Sequence, residues 1–231
     1  KWLGPRFVVV TGDLREEVAA FGLSGNSLSV LPNGVDIGTY RPVDAAERAA
    51  LRREWAWPEW LCFLYVGRLS PEKRLDMFLD VLAGTDKISK PLFAAFVGEG
   101  PEENRLKELC ARLNIPARFH APVEEVWRAY QAADVFVLPS VSEGLSNSLL
   151  EAMSCGLAVL GSRVGGTVDA VVDGGTGILF DDENGLRAGI KRLLHEPDLP
   201  ISLGRAGRER ALKFSIVETA KKYEALYLGK G

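Results

Sequence analysis

The sequence predicts an α/β fold, built on a doubly wound parallel sheet of about six strands with helices at its C-terminal end. Two observations predict this class. Short runs rich in Val, Leu and Phe alternate along the chain with segments of helical period, as strands and helices do in repeated βα units. The runs are apolar at consecutive rather than alternate positions, which indicates strands that are covered on both faces.

Eight apolar runs are predicted as strands, and six of them, between Leu61 and Phe180, form the predicted sheet. Turn residues in LPNG at 31–34 mark the predicted boundary between the first two runs and the rest. Beyond Asp182 the pattern is helical throughout. The predicted strands are 6–10, 28–31, 61–66, 92–97, 117–120, 134–138, 157–161 and 177–180. The predicted helices are 13–21, 46–55, 74–82, 101–113, 124–133, 146–154, 185–195 and 217–228.

The composition excludes several classes of protein. The 28 Lys and Arg residues against 31 Asp and Glu give a net charge of −3, so no overall positive field would hold a nucleic acid. Cys62, Cys110 and Cys155 lie far apart in apolar patterns, which predicts buried free thiols in a reducing compartment. No apolar run approaches the roughly 18 residues of a membrane span, and no signal-peptide pattern opens the chain. A cytoplasmic location is therefore expected.

The loop that follows the first strand of the predicted sheet carries two cations. In VGRLSPEKRLD (66–76) the chain leaves the strand through Gly67, places Arg68 in the loop and reaches Lys73 near the start of the next helix. Two cations beside a helix N-terminus form an anion site, because the helix dipole adds to their charge. The sequence therefore predicts a diphosphate site here. The alternative is a solvated loop in which Arg68 pairs with a nearby carboxylate.

The next strand ends in VGEGPEE (97–103), another glycine turn. Gly98 and Gly100 imitate the start of the G-x-G-x-x-G fingerprint, but position 103 is glutamate, so a dinucleotide-binding oxidoreductase is not indicated. The stretch predicts a tight turn into a helix opened by Pro101. Gly98 would also let a nucleotide approach the backbone.

A pair of acids brackets the stretch EGLSNSLLE (143–151). Ser142 or Ser146 can cap the predicted helix, which leaves Glu143 in the loop beyond the strand and Glu151 one to two turns into the helix. Carboxylates accept the paired hydrogen bonds that sugar and ribose diols offer. The N–H groups between Gly144 and Asn147 could hold a phosphate between them. Alternatively, both glutamates are ordinary surface acids.

The motifs together resemble one family. Their order and spacing over nearly the whole chain are similar to those of the retaining GT-B glycosyltransferases of group 1, whose two Rossmann-like domains face each other across a cleft. The chain resembles the second of these domains. The segments that carry the resemblance are LPNGVD (31–36), YVGRLSPEK (65–73), FVGEGP (96–101), AADVFVLPSVSEGLSNSLLEAMSCGLAVLGS (132–162) and VGGTVDAVVDGGTGILF (164–180).

The resemblance implies roles for individual residues. Arg68 and Lys73 would bind the donor diphosphate, Glu143 the hydroxyls of the donor sugar, and Glu151 the ribose. Backbone groups of 121–123 would hold the nucleobase, and those of 144–146 would lie beside the phosphate and sugar. Arg68, Lys73 and Glu143 are the predicted catalytic residues. The predicted donor site comprises Gly67, Arg68, Lys73, Gly98, Ala121, Pro122, Val123, Glu143, Gly144, Leu145, Ser146, Asn147 and Glu151.

Two positions depart from the pattern of the family. The family usually has glutamate where Asp169 stands, and a glycine or hydrophobic residue is common where Asn147 stands, which bears on the sugar chosen. The histidine that commonly approaches the donor sugar would come from the other domain. His120 and His195 are both predicted to be structural.

The implied activity is transfer of a sugar from a nucleoside diphosphate sugar, which is a substrate rather than a cofactor, to an acceptor hydroxyl with retention. No metal is expected, because the sequence has no DxD-like acid pair at a strand end and no ligand cluster. Residues 1–31 would be a remnant of the N-terminal domain and linker, and 32–231 the donor domain with its crossover helix. The acceptor, and any peripheral contact with a membrane, would belong to the missing domain. The chain is therefore expected to bind donor and transfer sugar poorly or not at all; the alternative is a non-catalytic nucleotide-sugar-binding module.

Overall fold

The computed structural model describes residues 7–22, 28–85 and 91–228. Arg6, the first residue of the first predicted strand, lies outside this range. The strands are β1 (Phe7–Val9), β2 (Leu28–Val30), β3 (Leu61–Val66), β4 (Leu92–Val97), β5 (Ala117–His120), β6 (Val135–Leu138), β7 (Ala158–Ser162) and β8 (Ile178–Phe180). The α-helices are α1 (Gly12–Ala20), α2 (Ala45–Glu54), α3 (Leu75–Ala83), α4 (Glu103–Arg112), α5 (Trp127–Ala132), α6 (Asn147–Ser154), α7 (Gly165–Ala170), α8 (Glu183–His195), α9 (Leu199–Ala211) and α10 (Ile216–Tyr227).

The predicted six-stranded parallel sheet is confirmed. Its strand order is β5-β4-β3-β6-β7-β8, and each neighbouring pair runs parallel. The consecutive apolar residues of β4 and β6 are all buried, because helices cover both faces of the sheet. The three central strands align Phe63 with Ala94 on one side and with Val135 on the other. All three cysteines are buried free thiols, as predicted.

Some boundaries differ from the predicted ones. Helix α7 was not predicted, because GGTVDA opens with two glycines and lacks a helical apolar pattern. Helix α4 begins at Glu103 rather than at Pro101, since Pro101 and Glu102 form the turn before it. The cap of α6 is Ser146 and not Ser142: the Ser146 side chain accepts a hydrogen bond from the Leu149 N–H at 3.4 Å.

Strands β1 and β2 form a separate two-stranded parallel sheet, and several contacts link this N-terminal part to the large sheet. The Asp169 carboxylate accepts a hydrogen bond from the Gly12 N–H at 3.1 Å, at the first turn of α1. The Asn33 side-chain amide donates to the Leu145 carbonyl at 2.7 Å. Val35 forms an isolated parallel bridge with Ser215, immediately before α10. The segment around the predicted boundary thus packs against the start of the last helix.

A buried ionic cluster fixes α2 to the amino end of the sheet. The Asp134 carboxylate accepts hydrogen bonds from Arg48 at 2.8 Å, from Arg52 at 2.6 Å and from the Cys62 N–H at 2.8 Å. Arg52 is nearly enclosed, with 6% of its side chain exposed, and it also donates to the Ala132 carbonyl at 2.8 Å. One carboxylate therefore pairs with two guanidinium groups and satisfies a buried N–H, and Glu59 lies 3.4 Å from Arg52 as a second carboxylate.

In the part of the chain that the structure describes, no helix is both long and apolar enough to cross a membrane.

Replacing Asp134 by alanine should lower the free energy of unfolding by on the order of 3 kcal/mol, because it leaves the buried Arg52 charge with only the exposed carboxylate of Glu59, at 3.4 Å, as an ionic partner. Chemical denaturation followed by circular dichroism measures this loss. Glu218→Ala is the control, since Glu218 pairs with Lys221 on an exposed helix face and its loss should leave stability unchanged within error. Equal stability of Asp134→Ala and wild type would show that the cluster does not hold α2.

Candidate functional site

The strand order reverses at one point of the large sheet. The chain builds β4 and β5 on one side of β3, then returns to place β6, β7 and β8 on the other. The chain therefore leaves β3 and β6 toward opposite sides of the sheet, and the crevice at this switch point of the carboxyl edge is where ligands bind in open α/β sheets. We call residues 67–74 the β3 loop, 98–102 the β4 loop and 139–146 the β6 loop.

A cavity of about 860 Å³ opens between the β3 loop, the β4 loop and the segment after β5. It brings together several predicted residues that are far apart in the sequence: Gly67, Arg68, Gly98, Pro122 and Val123. The other predicted residues do not line this cavity; Ala121 precedes Pro122 in the segment after β5, and the rest lie on the β3 loop, the β6 loop and α6. Glu99 and Glu103, which were not predicted, complete its polar rim.

The backbones of the β3 and β4 loops pack so closely that no side chain fits at Gly98 or Gly100. Gly98 has a φ of +145°, and a Cβ on it would lie 2.0 Å from the Gly67 carbonyl oxygen. A Cβ on Gly100 would lie 2.2 Å from the Leu69 carbonyl oxygen. The Leu69 N–H in turn donates to the Glu99 carbonyl at 2.9 Å. The tight turn predicted for VGEGPEE is confirmed, and its glycines are required by the contact between the two loops.

Arg68 and Lys73 have different surroundings on the β3 loop. The Arg68 side chain is exposed beside the cavity and makes no ion pair or hydrogen bond with any described residue. The predicted alternative, an ion pair between Arg68 and a nearby carboxylate, is not observed among the described residues; the Arg68 charge acts on the Glu72 carboxylate only as the smallest of the influences that lower the pKa of Glu72. Lys73 ends a single 3₁₀ turn before α3, and its Nζ lies 2.7 Å from Oε1 of Glu143.

Glu143 is enclosed rather than a surface acid. Only 11% of its side chain is exposed, and its Oε1 accepts hydrogen bonds from Lys73 and, at 2.5 Å, from the Ser140 hydroxyl. Its carbonyl accepts from the Gly166 N–H at 3.1 Å, at the start of α7. A Cβ on Gly165 would lie 1.9 Å from that carbonyl oxygen, so this glycine permits the contact. Gly165 and Gly166, which made α7 unpredictable from the sequence, thus allow the start of this helix to contact the Glu143 backbone.

The β3 and β6 loops are joined across the crevice twice. The Val141 N–H donates to the Glu72 carbonyl at 2.9 Å, and the Lys73–Glu143 pair lies just beyond this bond. Both strands end at this switch point, so the contacts hold a cation and a carboxylate together at the place where a ligand would enter.

Glu151 lies in the second turn of α6, as predicted, and is largely buried. Its Oε2 accepts a hydrogen bond from the Tyr130 hydroxyl at 2.8 Å, and the Tyr40 hydroxyl is a second donor. Burial raises the pKa of Glu151 above its ordinary value, and the two tyrosine hydroxyls offset part of that rise. The tyrosines were not predicted, since both lie in other segments of the chain and nothing in their spacing links them to Glu151.

The two histidines and the possible metal ligands are the remaining candidate groups. His120 Nε2 accepts a hydrogen bond from the Trp57 indole at 3.0 Å, and burial lowers the pKa of its imidazole. This supports the structural role predicted for His120, while His195 lies in the last turn of α8. The described residues hold no group of three or more His, Cys, Asp or Glu side chains that could bind a metal ion.

Comparison with known proteins identifies the family. The family model described as glycosyl transferases group 1 matches residues 47–210. The chain is 33% identical over 207 residues to the sulfoquinovosyl transferase SQD2 of Arabidopsis thaliana, covering 87% of this chain and 39% of that protein. It is 33% identical over 228 residues to the D-inositol 3-phosphate glycosyltransferase 2 of Catenulispora acidiphila, covering 92% of this chain and 53% of that protein.

The fold matches as well. Anabaena Alr3699/HepE, solved in complex with UDP, superposes with a TM-score of 0.87 at 19% identity, over 98% of this chain and 64% of that one. The chain spans about half the length of the curated relatives it matches. Its six-stranded sheet is thus one Rossmann-like half of a GT-B fold, and the chain belongs to the group 1 glycosyltransferases.

Proposed function

We propose that this chain is the donor-binding part of a glycosyltransferase that moves a sugar from a nucleoside diphosphate sugar to an acceptor hydroxyl, with retention at the anomeric carbon. The observation that carries the proposal is the arrangement at the switch point. Arg68, which makes no hydrogen bond or close ion pair with a described residue, faces the cavity, and the Lys73–Glu143 pair bridges the crevice. The complex of Anabaena Alr3699/HepE with UDP supports a nucleoside diphosphate as the bound group.

In this proposal the diphosphate lies against the β3 loop. Departure of the diphosphate builds negative charge on its oxygens, and Arg68 and Lys73 stabilise that charge as fixed cations. The N–H groups at the start of α6, from Gly144 to Asn147, add a helix dipole. These groups supply the positive charge of the site, so the reaction as proposed needs neither a metal ion nor a separate cofactor.

The sugar and the nucleoside occupy opposite ends of the site. Glu143 accepts hydrogen bonds from the sugar hydroxyls, and Lys73 and Ser140 hold its carboxylate for that purpose. Glu151 accepts the ribose hydroxyls, and the backbone of Ala121–Val123 holds the base at the cavity wall. Asn147 is exposed at the first position of α6, which suits a role in the choice of sugar.

The acceptor site belongs, in this proposal, to a second domain. The relatives are about twice as long as this chain. Helix α10 contains no buried residue and exposes Ile216, Val217 and Tyr227, as a helix that packs against a further domain would. Glycosyl transfer therefore requires both domains, whereas binding of the donor nucleotide requires this chain alone.

Arg68→Ala should weaken binding of the nucleoside diphosphate by roughly tenfold or more, because a charge-assisted hydrogen bond contributes about 1.5–3 kcal/mol. Isothermal titration calorimetry with UDP, GDP and ADP measures the loss, and affinity for the matching nucleoside should not change. The control is Arg192→Ala, which removes an exposed arginine of α8 that pairs with Glu196. Undiminished binding by the Arg68 variant would contradict the diphosphate assignment.

Glu151→Gln should weaken nucleoside and nucleoside diphosphate binding alike, by roughly fivefold to tenfold, because a neutral amide replaces the carboxylate that accepts the ribose hydroxyls. The dependence on pH gives a second readout. The folded-state pKa of Glu151 is raised, so the carboxylate is lost sooner than usual as the pH falls, and wild-type nucleoside affinity should fall with it. The Glu151→Gln variant should lack this dependence. A parallel fall in both proteins would assign it to another group.

A further inference from the structure

A buried tyrosine lies directly beneath the β3 loop. Tyr65, the penultimate residue of β3, is 1% exposed, and its hydroxyl donates a hydrogen bond to the backbone carbonyl of Arg68 at 2.9 Å. Among the described residues this hydroxyl is the one donor to that carbonyl. The bond closes a short ring, from the side chain of a strand residue back to the loop three residues later.

The backbone of the β3 loop bends at Gly67 so that the Arg68 carbonyl reaches the Tyr65 hydroxyl. Gly67 has a φ of +148°, which turns the chain back over the strand end, and a Cβ on Gly67 would lie 3.0 Å from the Tyr65 hydroxyl oxygen. The neighbouring residues are held by the β4 side: the Gly67 N–H donates to the Val97 carbonyl at 3.0 Å and the Leu69 N–H to the Glu99 carbonyl at 2.9 Å. The carbonyl of Arg68 lies between these two anchors and is held by Tyr65.

The hydroxyl keeps its proton. Burial raises the pKa of Tyr65 far above the neutral range, and the negative charges of Glu143 and Glu72 raise it further. The phenol is therefore a hydrogen-bond donor throughout the neutral pH range.

We propose that Tyr65 is a positioning residue for Arg68, which orients the β3 loop so that the guanidinium faces the diphosphate before the donor binds. The inference rests on the proposed function of Arg68. The exposed side chain of Arg68 makes no hydrogen bond or close ion pair with a described residue, and its electrostatic influence on Glu72 is small. The hold on its backbone therefore decides from which point the guanidinium extends. A cation held in place binds a diphosphate more tightly than one that must be ordered on binding.

The test is Tyr65→Phe, which removes the hydroxyl and keeps the buried ring, so that the core packing is preserved. Calorimetric titration with whichever of UDP, GDP and ADP the wild-type chain binds should show affinity reduced roughly threefold to tenfold, as expected for loss of one hydrogen bond. Affinity for the matching nucleoside, which lacks the diphosphate, should stay within about twofold, because no diphosphate is there to meet Arg68. A thermal melt of the wild type and of each variant establishes that the proteins used in the titrations are folded.

A double-mutant cycle separates positioning from general support of the fold. In the Arg68→Ala background, Tyr65→Phe should have little further effect on diphosphate affinity, because the group that it positions is gone. An equal loss with and without Arg68, or an equal loss for the nucleoside, would overturn the inference and assign Tyr65 a structural role only. If Tyr65→Phe binds the nucleoside diphosphate as tightly as the wild type does, the inference about Tyr65 is also overturned, but the proposed function is not. If the wild type binds none of UDP, GDP and ADP, the proposed function and the inference both fail.

Discussion

The candidate site depends on the reversal of strand order between β3 and β6. In a parallel sheet every strand ends at the same edge, and a crevice opens there only where neighbouring loops turn to opposite sides. Here β4 and β5 extend one way and β7 and β8 the other, so the β3 and β6 loops lead to opposite sides of the sheet while two contacts join them at the switch point. Each polar group of the site lies on one of those loops, on a loop beside them or on the helix that follows. A different strand order with the same motifs would scatter the same side chains along the sheet edge.

The groups at this edge are fixed by contacts that require particular residues. Glycines at positions 67 and 98 let two loop backbones touch, and the Val141 N–H ties the β6 loop to the β3 loop. The Lys73–Glu143 pair is mostly enclosed, so its attraction is less screened than that of an exposed pair. Arg68 is different, because its backbone is held while its side chain makes no hydrogen bond or close ion pair in the described part of the chain. A rigid frame that carries such a cation suits an anion site, because the cation keeps its charge available for the ligand.

Much of the fold could be predicted from the sequence, because its signals are local. Strands β3, β4 and β5 are predicted to the residue, and β3 and β4 are continuous apolar runs. Helix α7 could not be predicted, because the glycines that open it serve a contact with the Glu143 backbone. The same limit holds at the site. Lys73 and Glu143 were each predicted from their own loop, but their direct contact joins residues 70 positions apart. The tyrosines that bond Glu151 come from α5 and from the loop before α2, and no spacing in the sequence reveals that these segments pack against α6.

The most direct test of the account is to map amide chemical shifts of the isotope-labelled chain by NMR during addition of UDP, GDP and ADP without metal. If the switch point binds a nucleoside diphosphate, one nucleotide should cause saturable shifts. We expect these to be concentrated around the switch point of the sheet, in residues 67–74, 98–102, 121–126 and 143–151. Shifts centred instead at the amino edge, near Asp134 and α9, or no saturable shifts with any of the three, would contradict it.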